Sequence, residues 1–280
     1  MRRLALLAVL LVLGGVASAA EKPRRIVSLN LCSDQIVLAL VDRQRIAALS
    51  HLAADPLVSA VAAEARAIRT TRGEAEDVLA LDPDLVIAGV VTTRATRELL
   101  RRLGRRAVVI PFADDLAAVR RAIATVAAAV GEVARGEALI AELDRRLGAA
   151  APAPGERRPT AAIYGIGGAV ELPGTLADAL LRHAGLDNVV ARLRPGASGA
   201  VSLEELVARP PDVLVLSGAA EAYRTVVADN LRHPALRAIM TRLTHVVVPQ
   251  RLLLCGTHHV AAAVERLAAA RRRLNARGAP

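Results

Sequence analysis

One pattern occurs twice in this chain, and it limits the possible folds more than any other feature. EAEDVLALDPDLVIAG, residues 74–89, and SLEELVARPPDVLVLSG, residues 202–218, each place a Glu seven residues before Pro-Asp, with a short apolar run behind it. Glu76, Pro83 and Asp84 thus match Glu204, Pro211 and Asp212. In both copies a helix-like stretch is stopped by Pro and runs into a brief Val- and Leu-rich segment closed by Gly or Ser-Gly, which suits a strand buried on both faces. Other strand-like runs lie at 25–29, 46–49, 107–110, 160–164 and 246–248, with amphipathic helical stretches between many of them. Strands alternating with helices predict parallel sheets covered on both sides.

The two copies are separated by sequence of a different kind. In DLAAVRRAIATVAAAVGEVARGEALIAELDRRLGAA, Leu116, Val119, Ile123, Val126 and Val130 recur at steps of three and four, and Leu139, Ile140, Leu143 and Leu147 continue an apolar face beyond Gly131. Such spacing predicts a long helical segment, read as two helices. APAPGERRP, residues 151–159, is a linker in which Pro and Gly stop any helix. With 280 residues, 54% of them hydrophobic, the chain can fill two modest cores. The expected division is an amino-terminal α/β lobe over 21–131, a connecting helix over 132–150 and a carboxy-terminal α/β lobe over 151–280.

The first twenty residues, MRRLALLAVLLVLGGVASAA, carry two Arg, an apolar run and Ala17-Ser18-Ala19, the small-x-small pattern that signal peptidase accepts. The uninterrupted apolar run, 4–13, is shorter than the ~20 residues that span a bilayer. A cleaved signal peptide is therefore expected, giving a mature protein that is not integral to the membrane. Its removal leaves 35 basic against 27 acidic residues, a formal charge of +8. The basic residues are nearly all Arg and scattered over helix-like segments, as on solvated faces. Three aromatics in the whole chain offer no stacking platform, so nucleic acid is not an expected partner.

Taken in order, RRIVSLNLCSDQIVLAL as first strand and helix, EDVLALDPDLVIAG, the long middle helix, GTLADALLRHAGLDNVV, SLEELVARPPDVLVLSG and the closing NLRHPALRAIMTRL resemble the substrate-binding proteins of ABC importers for vitamin B12, heme and ferric siderophores. No one motif is diagnostic; their order and spacing carry the resemblance over essentially the whole mature chain. It implies a periplasmic monomer of α/β class, with two Rossmann-like lobes built on parallel-type sheets and joined by a single long helix. A small-molecule metal chelate would sit in the cleft between lobes, with little closure on binding. It also implies that one surface Glu from each lobe docks onto Arg pockets of a permease dimer, which works with ATPase subunits. The matching positions are Glu76 and Glu204, so the repeat has a reason: a two-lobed protein presents one carboxylate per lobe to a two-fold transporter. The other reading is that each Glu favours its own helix dipole, and both can hold at once.

Ligands of open parallel sheets bind beyond the carboxyl ends of the strands. In the first lobe this selects Asn30, Cys32, Ser33, Asp34, His51, Arg72 and Thr92 as cleft candidates. In the second it selects Gly167, Gly168, Arg192, Arg194, Ser217, Arg251, Cys255 and His258. Arg72, Arg192, Arg194 and Arg251 could fork onto a carboxylate or phosphate, although long charged side chains are mostly solvated. Cys32 and Cys255 each fall in a loop expected at the cleft, one per lobe. In an oxidising compartment they could form a disulfide that ties the lobes together; buried free thiols and a ligand or metal contact are the other readings. His258 and His259 with Cys255 and His51 could compose a soft-metal site, but the spacing lacks HxxxH or CxxC, and the favoured reading puts one His at the cleft rim and the other on the surface.

No resident metal or cofactor is expected. The glycine-rich YGIGGAVELPGT follows a strand, yet it lacks a dinucleotide fingerprint's third Gly and is read as a cleft loop. Neither GxSxG nor HExxH occurs, which argues against the main rival, an exported α/β enzyme of chelatase type. A direct metal-ion binding protein on the same two-lobed plan is a second rival. With no Trp and only Phe112, Tyr164 and Tyr223 as aromatics, stacking against a corrin or heme ring is scarce. A ferric siderophore held in an aliphatic, basic cleft is therefore favoured over cobalamin or heme.

Overall fold

The computed structural model describes residues 21–193, 199–218 and 226–277; the expected signal peptide lies outside them. The chain enters through β1 (Ile26–Ser28), α1 (Leu31–Leu40), β2 (Ile46–Ser50), α2 (Ala62–Ala65) and β3 (Thr70–Thr71). It continues through α3 (Ala75–Ala80), β4 (Leu85–Gly89), α4 (Arg94–Arg102) and β5 (Ala107–Ile110). Two longer helices follow, α5 (Leu116–Val130) and α6 (Val133–Ala150). The second half runs β6 (Thr160–Tyr164), α7 (Leu176–His183), β7 (Asp187–Asn188), α8 (Val190–Leu193), α9 (Leu203–Ala208), β8 (Val213–Leu216), α10 (Pro234–Met240), β9 (Thr244–Val247) and α11 (Val260–Arg277). One parallel sheet has the order β3-β2-β1-β4-β5 and the other β7-β6-β8-β9. The duplicated motif supplies α3-β4 in the first sheet and α9-β8 in the second.

The Pro-Asp of each copy has a structural duty. Asp84 accepts hydrogen bonds from the backbone N–H of Arg24 (2.6 Å) and Arg25 (3.0 Å), just ahead of β1. Asp212 accepts from the N–H and the hydroxyl of Thr160, both at 2.8 Å, at the start of β6. Each Asp therefore satisfies backbone donors that no neighbouring strand reaches, and fixes the first strand of its sheet beside the strand that follows the motif.

Residues alternate across each strand, and the alternation sorts the core. Ile26, Leu85 and Ile87 of the first sheet share one continuous cluster with Ala161, Ile163, Val213 and Val215 of the second, filled by Ile36, Ile123, Val126, Leu143, Leu180 and Leu267. The intervening residues face outward into separate clusters. Val27 and Val86 pack under Val78 and Leu100, whereas Ala162, Tyr164, Leu214 and Leu216 pack under Leu206 and Leu236. The two lobes are thus joined by a shared core as well as by α6. At the turn between α5 and α6, Gly131 adopts φ +74°, which ends α5, and Gly136 lies so close to Ala127 that a β-carbon would stand 2.4 Å away.

Two details differ from the sequence expectation. β9 starts at Thr244, ahead of the Val246 expected, because the strand opens with the polar pair Thr244-His245. β3 and β7 are two-residue edge strands without an apolar run to announce them.

Candidate functional site

Strand order reverses between β1 and β4 in the first sheet and between β6 and β8 in the second, so each lobe has one switch point where the connections leave in opposite directions. At the first, Asn30 follows β1 and caps α1, its Oδ1 accepting from the N–H of Cys32 at 2.9 Å. It leans over Gly89, the last residue of β4. At the second, Ser217 follows β8 and leans over Gly165, which follows β6. Asn230 holds this corner, donating to the Gly165 carbonyl (2.9 Å) and accepting from the Gly167 N–H (3.1 Å).

A cavity opens at each switch point. The first, about 160 Å3, is lined by Asn30, Cys32, Val90, residues 111–114 after β5, Leu176, Leu254 and Gly256 among others. The second, about 230 Å3, is lined by Gly165, Ile166, Ala169, Glu171, Ser217, Gln250, Leu253 and Leu254 with Ile163. Leu254, 45% exposed, is common to both, and the first cavity draws on residues from both lobes. Val91 and Phe112, the latter 64% exposed, add apolar surface on the first side. Asp114 and Glu171 are the charged groups among these linings. Burial raises the Glu171 carboxyl above its ordinary range, opposed by a hydrogen bond from Thr175.

Cys32 and Cys255 form a disulfide, with α-carbons 5.1 Å apart. It joins the start of α1 to the segment before α11, and beside it the Thr257 hydroxyl donates to Gln35 Oε1 at 3.2 Å. The sulfur of Cys255 is therefore not a thiolate ligand, which removes it from the soft-metal set. Among the described residues no three His, Cys, Asp or Glu side chains are grouped to hold a metal ion.

Several sequence candidates are placed elsewhere than expected. Ser33 and Asp34 are fully buried and face the interior, not the cleft. Ser33 bonds Ser28 Oγ (2.8 Å), while Asp34 accepts from the N–H of Ser50 at 3.2 Å and from its hydroxyl, tying α1 to the ends of β1 and β2. Burial pushes the Asp34 carboxyl up to about 7 despite the serine hydrogen bonds. Arg72, Arg192 and His51 are exposed, and Arg251 is half-buried in the turn after β9; none of them lines either cavity. Arg194 and Tyr223 lie outside the described residues. Thr92 closes the turn after β4, accepting from the Gly89 N–H at 3.1 Å. Gly167 and Gly168 have φ of +66° and +80°, which suits glycine in this tight corner, and Gly168 is buried against the Val201 carbonyl.

His258 and His259 do not diverge onto separate faces. Both are half-buried, their ring centroids are 4.0 Å apart, and neither lines the cavities. Burial, followed by the influence of His259 and Arg146, pushes the His258 imidazole down to about 3. The pair turned inward because these residues precede the first turn of α11 rather than sitting within it.

The sequence reading missed the loop after β5, with Phe112 and Asp114, although the strand-end rule would have selected it. It also missed Glu171, the one acid in YGIGGAVELPGT, a segment whose glycines dominate its pattern. Tyr164 is 1% exposed and belongs to the core.

Glu76 and Glu204 occupy the same place in the two lobes, the second residue of α3 and of α9, and both are exposed. In a parallel β-α-β unit the helix runs back against the strands, so each helix starts at the edge where strands end. Both carboxylates thus belong to the cleft side of their sheets. Hydrogen bonds from its own N–H and from Ser202 hold the Glu204 carboxyl below its ordinary range.

A family model described as periplasmic binding protein matches residues 26–243. A cobalamin-binding protein of Halobacterium salinarum is 27% identical over 205 residues, which are 72% of this chain and 56% of that protein, so the match spans little more than half of the relative's length. The periplasmic heme-binding protein RhuT from Roseiflexus sp. RS-1 superposes with a TM-score of 0.73 at 25% identity, over 90% of this chain and 99% of that one. The periplasmic vitamin B12 binding protein BtuF of Vibrio cholerae shares the fold, with a TM-score of 0.63 at 19% identity over 90% and 98% of the two chains.

Proposed function

The chain belongs to the periplasmic binding protein family, and from that premise we propose that it is the substrate-binding component of an ABC importer, capturing an iron-siderophore-type chelate and delivering it to the membrane permease. The observation that carries this reading is the pair of open, mainly aliphatic cavities at the two switch points, joined by Leu254. A site of this kind binds by shape and burial of apolar surface; among the described residues it offers no nucleophile paired with a base, as an enzyme would need. The location is periplasmic, reached through cleavage of residues 1–20. The lobes are taken as 21–131 and 151–280, with 132–150 connecting them, and the protein acts as a monomer whose Glu76 and Glu204 meet the permease pair.

Cobalamin is the second reading, supported by the cobalamin-binding relative and by amide-bearing corrin edges that match an aliphatic cleft with carboxylates. Heme is less well served: among the described residues neither cavity is lined by an imidazole, phenol, thioether or free thiol to ligate its iron. The test is calorimetry of the protein with ferric hydroxamates, cobalamin and hemin, since the absence of Trp removes the usual intrinsic fluorescence. Micromolar or tighter binding of a ferric hydroxamate supports the siderophore reading. Binding of cobalamin alone moves the ligand to corrinoids, and binding of none sinks the importer reading.

A further inference from the structure

The +8 charge of the mature chain would favour anionic chelates if it were distributed into the cleft. It is not. Among the described residues, no Arg, Lys or His lines either cavity, whereas each has one carboxylate, Asp114 in the first and Glu171 in the second. Exposed charges more than about 8–10 Å away are largely screened at physiological salt, so the groups lining the cavities set the local preference.

Glu171 is the better placed of the two. Asp114 is exposed at the rim, but Glu171 is half-buried and its residue is gripped from both sides. Val170 pairs with Tyr164 and donates to the Gly199 carbonyl at 3.0 Å, while the carbonyl of Glu171 accepts from Asn188 Nδ2 at 2.9 Å. Asn188 is itself held by Asp178 at 3.1 Å. A carboxylate on so fixed a backbone, in a wall shared with Ile163, Ile166, Ala169, Leu253 and the polar Ser217 and Gln250, is an acceptor with no Arg, Lys or His beside it in that lining among the described residues. Among the described residues it is not part of a metal-binding cluster. Resting on the chelate-binding reading above, we infer that the cleft selects uncharged or cationic chelates whose edges carry N–H donors or an ammonium, and that Glu171 is the residue that recognises them. Chelates edged with carboxylates bring like charge against Glu171 in a partly dry site and are disfavoured.

Matched ligands test this. Ferrioxamine B, with its free ammonium, is compared with its N-acetyl derivative, and cobalamin with its monocarboxylic acid, by calorimetry on the wild type and on Glu171→Gln; ferric dicitrate and hemin serve as anionic probes. In each pair that binds, the ammonium-bearing ferrioxamine and the fully amidated cobalamin are expected to bind at least tenfold more tightly to the wild type than their counterparts. That ratio should shrink to about threefold or less in Glu171→Gln, with the unfolding midpoint unchanged. A preference for the acidic or acetylated member, tight binding confined to ferric dicitrate or hemin, or a ratio that persists in Glu171→Gln overturns the inference while leaving the importer reading intact. Failure of every probe to bind removes the importer reading and the inference with it.

Discussion

Asn30 reaches over the end of β4 so closely that a β-carbon on Gly89 would stand 2.5 Å from its Nδ2, and Ser217 stands in the same relation, also 2.5 Å, to Gly165. The polar member follows the first strand in one lobe and the later strand in the other, but both pairs straddle a switch point. Gly89→Ala and Gly165→Ala should therefore push Asn30 or Ser217 out of place. Overpacking of this kind costs about 1–3 kcal/mol. Ligand affinity is expected to fall about tenfold in each variant; calorimetry showing unchanged affinity would mean that neither side chain touches ligand.

The Cys32–Cys255 bond closes a chain separation of 223 residues. The loop-entropy relation gives about 5 kcal/mol for a loop of that length. Residual structure in the unfolded chain reduces that figure, so the loss on removing the bond should be about 2–4 kcal/mol. The double variant Cys32→Ser/Cys255→Ser, unfolded in urea beside the oxidised wild type, measures it. Equal midpoints would show that the bond adds nothing to stability.

The fold was legible where chemistry and periodicity coincide. The duplicated Glu-Pro-Asp pattern announced α3-β4 and α9-β8 because Asp84 and Asp212 do the same backbone work in both lobes. β3 and β7 were not legible: two-residue edge strands such as Thr70–Thr71 leave no hydrophobic trace. At the site, the strand-end rule located Asn30, Cys32, Ser217 and the 251–258 segment but could not separate cleft from interior. Ser33 and Asp34 read as loop polars, yet the helix turn beginning at Leu31 rotates them inward, where Ser28 and Ser50 satisfy them. The expected basic cleft failed for a related reason. Composition counts charges over the whole chain, while Arg72 and Arg192 point to solvent and the cavities take their charge from Asp114 and Glu171.

Asp34 should make stability depend on pH. Its carboxyl is raised from 3.8 to about 7 in the folded protein. A raised folded value means that the folded state holds the proton more tightly. The contribution is fully present below about pH 4 and is lost as pH rises through about 7. At 1.36 kcal/mol per unit the full difference is about 4 kcal/mol. Urea unfolding at pH 5 and pH 8 should show wild type losing stability between them, with a visibly flatter profile for Asp34→Asn. Parallel profiles would assign the pH dependence elsewhere.

Glu76 and Glu204 separate docking from ligand capture. Both are exposed at the second position of their helices, and neither lines a cavity. Their favourable effect on the helix dipoles is worth about 0.3–1 kcal/mol each, so reversing both charges should leave the protein folded. If the pair meets two cationic pockets on a permease dimer, Glu76→Lys/Glu204→Lys creates like-charge contacts at both ends of that interface. Uptake by cells, or by vesicles carrying the cognate importer, should then fall more than tenfold, with ligand affinity within twofold of wild type and each single variant in between. Unchanged uptake would reduce both residues to helix capping. A parallel loss of affinity would instead show that the helix starts help to shape the cleft, because Glu204 sits in the capping turn that Ser202 and Glu205 close beside Val201 and the Gly168 corner.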